Sequence, residues 1–122
     1  WQIVPWRVKV GGVEVEQPVV PAICTNDEIL ELHAVLAGRV LGQLAGVTAG
    51  PYIRSRQLIP LLVDHVPDRA GYFVYYGSRN AQPARARAFI DLVVARLANN
   101  IEYVLSMKEL RSATRGARAL AM

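Results

Sequence analysis

AICTNDEILELHAVLAG, residues 22–38, passes from a short apolar run into a helix within three residues. Ala22-Ile23-Cys24 reads as a short buried strand running straight into Thr25. Thr25 can cap a helix, and Glu28 three residues later completes a capping box. Asp27, Glu28 and Glu31 load the first turns with negative charge, which suits the positive end of the helix dipole. Ile29, Leu32, His33 and Leu36 recur at helical spacing and define the expected buried stripe. Gly38 ends the helix in the left-handed position that glycine takes most readily. A strand feeding directly into a capped helix is the building unit of α/β architecture.

Upstream, Trp6, Val8 and Val10 alternate with Arg7 and Lys9, Gly11-Gly12 signals a two-residue turn, and Val13, Glu14, Val15 and Glu16 alternate again. This is a hairpin pattern, with Arg7 and Lys9 across from Glu14 and Glu16 on the wet face. Pro18 and Pro21 close it. Downstream, Val40 to Leu44 reads as a short strand followed by a loop of small residues. Gly42, Gly46 and Gly50 recur every fourth residue there, a spacing that marks tight turns. Pro51 to Arg56 reads as a short helical turn and Leu58 to Val63 as a strand. Asp64 to Ala70, with Pro67 among charged neighbours, reads as a linker. Tyr72 to Tyr76 has the strongest strand propensity of the chain. Gly77 to Gln82 turns, and Pro83 suits the first position of a long helix. Phe89, Ile90, Val93, Val94, Leu97, Ile101, Val104 and Leu105 give that helix a broad apolar face, with a kink or split expected at Asn99-Asn100. The chain is α/β, with no internal repeat.

At 122 residues, 52% apolar and 20% charged, the chain is long enough for one domain or parts of two. Such a length can bury roughly two-thirds of its unfolded surface, and the composition excludes general disorder. One cysteine excludes an internal disulfide framework and a cysteine-built zinc site. Arg39, Arg54 and Arg56 interrupt the best apolar stretch before it reaches membrane-helix length. The chain opens on Trp1 with neither initiator Met nor signal peptide, which reads as a piece of a longer protein. Residues 1–76 carry six basic and seven acidic side chains, whereas residues 77–122 carry eight basic and three acidic. Lys108, Arg111, Arg115 and Arg118 bunch near the end. They suit a contact with nucleic acid or acidic lipid, but no aromatic side chains are interleaved, and a solvated, frayed helix end is the reading favoured here.

The search for catalysis is largely negative. There is no phosphate-binding loop, no nucleophile-elbow serine and no paired histidines on a helix face. His33 lies on the expected buried stripe and His65 in the linker, so no metal site is expected. Cys24 precedes a helix N-terminus, which can activate a thiol; beside Ala22 and Ile23 it reads as a small buried apolar residue. The informative place is the junction at Thr25-Asn26. Ligands of open α/β sheets favour the crevice beyond strand carboxyl ends, where helix N–H groups are free. Arg39, just past the other end of the helix, either holds a carboxylate bidentately or is simply solvated.

Taken together, PWRVKVGG, TNDEILELHAVLAG, VLGQLAG, LIPLL and YFVYYGSRNAQPARARAFIDLVVARL resemble, in order and spacing, the effector-binding domain of LysR-type transcriptional regulators. The match runs to about Leu97. The chain departs from the family pattern after the first helix, where Val40 stands for a glycine and Ala45 for a proline, with Gly42 and Gln43 between them. The resemblance implies a fold of the periplasmic-binding-protein-like (type 2) kind, a mixed sheet flanked by helices, present here incompletely. Residues 1–63 would supply most of the second effector-binding subdomain and residues 64–70 the hinge crossing. Residues 71–122 would return a strand and a long helix to the first subdomain, followed by the basic tail. It also implies a cytoplasmic homodimer or higher homo-oligomer, with the first helix and its neighbouring strand at antiparallel dimer contacts. DNA would be reached only through an N-terminal helix-turn-helix domain absent from this sequence. The implied effector site includes Thr25, Asn26 and Arg39, with the arginine suggesting a small carboxylate. No catalytic residue, metal or cofactor is expected. The alternatives are a periplasmic-type solute-binding receptor and a small α/β enzyme, the latter lacking a visible acid–base pair.

Overall fold

The computed structural model describes residues 2–67, 75, 77, 83–98 and 100–120, with residues 116–120 described by backbone alone. The elements are β1 (Trp6–Val10), β2 (Val13–Gln17), α1 (Glu28–Leu36), α2 (Gly46–Arg54), a 3-10 turn (Val63–His65), α3 (Ala84–Leu97) and α4 (Met107–Leu120). The expected strand at Tyr72–Tyr76 and the turn after it fall, apart from residues 75 and 77, outside the described residues, as does the linker beyond Pro67.

The hairpin forms in the register the alternation predicts. Arg7 faces Glu16, Lys9 faces Glu14, and Val8 faces Val15. Gly11 and Gly12 both take positive φ, +59° and +84°, as a hairpin turn matched to strand twist requires. Arg7 reaches Glu14 diagonally at 4.0 Å, an exposed pair of little energetic weight.

The other edge of β1 is occupied by side chains. Arg7 N–H donates to Gln43 Oε1 at 3.3 Å, and Gln43 Nε2 donates to Arg7 O at 2.9 Å. Two residues on, where the backbone again faces that edge, His65 Nδ1 donates to Lys9 O at 2.7 Å. Among the described residues, the sheet is therefore the hairpin alone. Ala22–Cys24, Val40–Leu44 and Leu58–Val63, expected as strands, are irregular, the last passing into the 3-10 turn at Val63. Pro60 in the last of these has no N–H to offer a ladder. Without a sheet above it Cys24 is exposed, contrary to the buried position expected.

The helix α1 starts two residues later than its expected cap. Asp27 is the N-cap, its carboxylate accepting from Ile29 N–H and Leu30 N–H. Thr25 Oγ1 accepts from Asp27 N–H at 3.0 Å, so it shapes the turn before the helix. Glu28 is released from the expected capping box and accepts instead from Ala45 N–H at 2.7 Å. Glu31 accepts from Gln43 N–H at 3.0 Å. These bonds rotate the inner face. Leu32 is buried and Glu28, Glu31 and Val35 are half-buried, while His33 and Ile29 are exposed. Gly38 closes α1 as expected at φ +68°, with Gly38 N–H on Val35 O and Arg39 N–H on Ala34 O.

The helix α2 extends five residues earlier than expected, through the small residues from Gly46, and keeps Pro51 within it. It ends in the same hydrogen-bonding motif as α1, but with Arg56 in the left-handed position at φ +62°. The long helix breaks before Asn100, and Ile101, Val104 and Leu105, expected on its apolar face, lie in turn and irregular backbone between α3 and α4. α3 stops at Leu97, Asn100 Nδ2 donates to Arg96 O, and Asn100 Oδ1 accepts from Glu102 N–H. Pro83 caps α3 rather than opening it.

The tail forms α4, against the frayed end expected, and the cause lies in Ser106-Met107-Lys108-Glu109. Ser106 Oγ accepts from Glu109 N–H, and Glu109 Oε2 accepts from Ser106 N–H and Oγ–H at 2.8 Å each. This is a capping box. Arg54 ties α2 to it, donating to Glu109 Oε1 and to the carbonyls of Ile101, Glu102 and Val104. These contacts, Ser106 first and Arg54 after, hold the Glu109 carboxyl below its ordinary value of 4.5. Thr114 Oγ1 donates to Pro60 O at 2.9 Å, and Arg111 pairs with Asp64 at 2.9 Å.

The buried apolar residues are Leu32, Ala49, Ile53 and Val63. They lie under α1, in α2 and at the 3-10 turn, which packs on β1 and α4. No residue of α3 is buried. The chain exposes 10257 Å², against roughly 6,500 Å² for a folded monomer of this mass. About half of the unfolded surface is buried, not two-thirds.

Candidate functional site

Thr25 and Asn26 stand at the N-terminal end of α1 and Arg39 beyond its C-terminal end. The nine residues of α1 rise about 12 Å, so one small ligand does not touch all three directly along this helix. Thr25 is half-buried, its hydroxyl oxygen engaged by Asp27 N–H. Asn26 is exposed beside the helix start, where backbone N–H groups favour an anion or a carbonyl. The N–H groups of Ile29 and Leu30 are already taken by Asp27. Arg39 is exposed; its backbone N–H closes α1, which fixes where the side chain leaves the backbone.

Between these two ends runs the segment 40–45, which the hydrogen bonds hold as a wall along α1. Glu28 and Glu31 grip it at Ala45 and Gln43, and Gln43 in turn grips β1. Gly42 lies so close to α1 that an added Cβ would stand 2.7 Å from Val35 Cγ2 and 2.8 Å from Glu31 Oε1. Gly42, Gln43 and Ala45 thus seat the segment, and Ala45, which stands where the family pattern has a proline, does so through a backbone N–H that a proline lacks. Sequence reasoning identified the departure but not the roles of Glu28, Glu31 and Gln43. A pair of acids at i and i+3 on one helix face was the available signal, and it was absorbed by the capping and dipole reading.

Among the described residues no group of three or more His, Cys, Asp and Glu side chains gathers where a metal could be held. No helix among them is long and apolar enough to cross a membrane.

No protein-family model matches the chain, and no solved structure matches it. Three curated proteins do. The chain is 34% identical over 88 residues, 72% of its own length, to the putative LysR family substrate binding domain-containing protein YagP of Escherichia coli (strain K12). It is 29% identical over 113 residues, 92% of its length, to an HTH-type transcriptional regulator of Xanthomonas campestris pv. campestris (strain 8004). It is 34% identical over 80 residues, 66% of its length, to the uncharacterized HTH-type transcriptional regulator YcaN of Escherichia coli (strain K12). The matched parts span 65%, 33% and 26% of those proteins respectively. Two of these relatives are described as HTH-type transcriptional regulators. The chain is a distant homologue of a putative LysR family substrate binding domain-containing protein and of HTH-type transcriptional regulators.

Proposed function

We propose that this chain is the effector-sensing and oligomerisation part of a LysR-type DNA-binding transcriptional regulator, working in the cytoplasm. The observation that carries the reading is the 34% identity over 88 residues to a LysR family substrate binding domain-containing protein. Residues 1–63 belong to the second lobe of a periplasmic-binding-protein-like fold, 64–70 cross the hinge, and 71–122 return to the first lobe. The small-molecule effector lies in the cleft between lobes, with Thr25 and Asn26 at one end of α1 and Arg39 at the other lining the wall. Since about 12 Å separates the helix ends, Arg39 serves the carboxylate of an extended effector or receives it through the opposite lobe. Effector binding favours one relative setting of the lobes, and a homodimer or larger assembly passes that setting to the DNA-binding domains.

The test is the reading frame upstream of Trp1 followed by a ligand screen on its product. A helix-turn-helix segment and linker helix are expected ahead of Trp1. A secretory signal there, with one binding lobe, would turn the reading to solute capture. In the intact protein, a carboxylate that raises the melting temperature should do so less after Arg39→Ala. Unchanged affinity in that variant would remove the arginine from the site.

A further inference from the structure

A second site lies away from α1, between the 3-10 turn and α4. There a groove of about 600 Å³ is lined by Leu62, Val63, Asp64, His65, Arg111, Thr114 and Arg115. The geometry points to this groove as a binding site for a small ligand bearing a multiply charged oxyanion, of the phosphate or pyrophosphate type.

Three observations carry it. Arg111 and Arg115 are four residues apart on α4, so their guanidinium groups leave the same helix face one turn apart. Each offers a planar set of donors suited to oxyanions. Arg111 sends Nε and Nη2 to a single oxygen of Asp64, at 3.2 and 2.9 Å. Arg115 has no carboxylate partner among the described residues; its Nε donates only to Arg111 O, at 3.4 Å. Among the described residues, two guanidinium charges against one carboxylate leave the groove positive.

The walls are also pinned from behind. Thr114 shares its one hydroxyl proton between Pro60 O, at 2.9 Å, and Leu110 O, at 3.1 Å, which holds α4 against the irregular segment before the turn. His65 donates through Nδ1 to Lys9 O, which holds the turn against β1. An arriving anion therefore meets groups already placed, and less ordering opposes its binding. Asp64 is the groove's internal competitor. It occupies Arg111 until an anion of higher charge displaces it.

Lys108 supplies the contrast. It is exposed on the same face of α4, one turn before Arg111 and two before Arg115, but does not line the groove. A diffuse basic surface would use it as readily as Arg115, whereas a built site would not.

Titration of the full chain with pyrophosphate, followed by calorimetry and by amide shifts, decides the matter. Saturable binding is expected, with shifts concentrated at 62–65 and 111–115. Arg115→Gln should weaken it about tenfold, the loss of one strong charge-assisted contact. Asp64→Asn should strengthen it, because the competing carboxylate is gone. Lys108→Gln should leave it within about twofold. All three side chains are exposed, and the gain on Asp64→Asn cannot come from a failure to fold. Equal losses from Lys108→Gln and Arg115→Gln, or weaker binding after Asp64→Asn, would overturn the site. So would binding of duplex DNA without saturable pyrophosphate binding, which marks a polyanion surface instead.

Discussion

At Gly42 the absence of a side chain is what lets segment 40–45 lie against α1. A methyl group there would meet Val35 Cγ2 and Glu31 Oε1 at under 3 Å, and both belong to the helix that the segment must approach. Gly42→Ala should therefore cost about 1–3 kcal/mol, the usual penalty of overpacking, and show as an earlier midpoint in urea denaturation. A midpoint equal to that of the parent chain would mean that the segment is not held where the hydrogen bonds of Glu28 and Glu31 place it. Arg56 poses the opposite case. It occupies the same left-handed closing position in α2 that Gly38 occupies in α1, at φ +62° against +68°, and an L side chain there is disfavoured by roughly 1 kcal/mol. The Arg56 side chain is exposed. Arg56→Gly should raise stability by up to about 1 kcal/mol, less the backbone entropy that glycine adds to the unfolded chain. A fall in the denaturation midpoint would show that the arginine has a role that the closing motif does not reveal.

At the scale of elements, the same four-residue rule succeeded at one place and failed at another. Thr25-Asn26-Asp27-Glu28 and Ser106-Met107-Lys108-Glu109 both satisfy the capping-box pattern, yet only the second forms one. At the first, Asp27 captures the orphan N–H groups, which frees Glu28 to reach Ala45; at the second, Arg54 steadies Glu109 from across the chain. The hairpin was legible because its alternation, its Gly-Gly turn and its charge pairing all act within a dozen residues. The inner face of α1 was not, because it is set by hydrogen bonds to residues 12 and 17 positions away. The expected strands at 22–24, 40–44 and 58–63 depend on neighbours that no local pattern supplies, and the edge of β1 that one could have used is taken by Gln43 and His65. Of the candidate site, the helix itself and the position of Arg39 just past its end were legible, whereas its cap and the wall along it were not. The cap of α4 carries a pH prediction. Ser106 N–H and Oγ–H, then Arg54, favour the ionised Glu109, so its pKa is lower folded than unfolded. The stabilisation is present in full above the ordinary carboxylate value of 4.5 and is lost as pH falls through the depressed one. Carbon chemical shifts along 107–115 should thus lose helical character on acidification, and Ser106→Ala, costing about 1 kcal/mol of helix stability, should bring that loss on at neutral pH. Helical shifts unmoved by either change would deny the box its part in holding α4.

For the whole molecule, the decisive feature is α3. A helix of 14 residues is marginal in water unless a face of it is covered, and α3 buries none of its residues. Ala86, Ile90 and Val93 are half-buried, and beside them Phe89 is 68% exposed and Leu97 48%. On the proposed reading the first lobe covers this face, and the isolated chain must find a substitute. Copies of the chain should therefore associate through α3 as concentration rises, with the mean sedimentation coefficient and the helical circular dichroism climbing together. Phe89→Glu places a charge in the middle of the exposed stripe without removing a buried group. It should abolish the concentration dependence of both signals while leaving the hairpin and α1 resonances in place. Supplying the first lobe in trans should have the reverse effect, raising α3 helicity in the parent chain and not in the variant. A chain that stays monomeric at every accessible concentration with α3 fully helical would mean that the helix holds itself, and the case for a covering lobe would have to rest on homology alone.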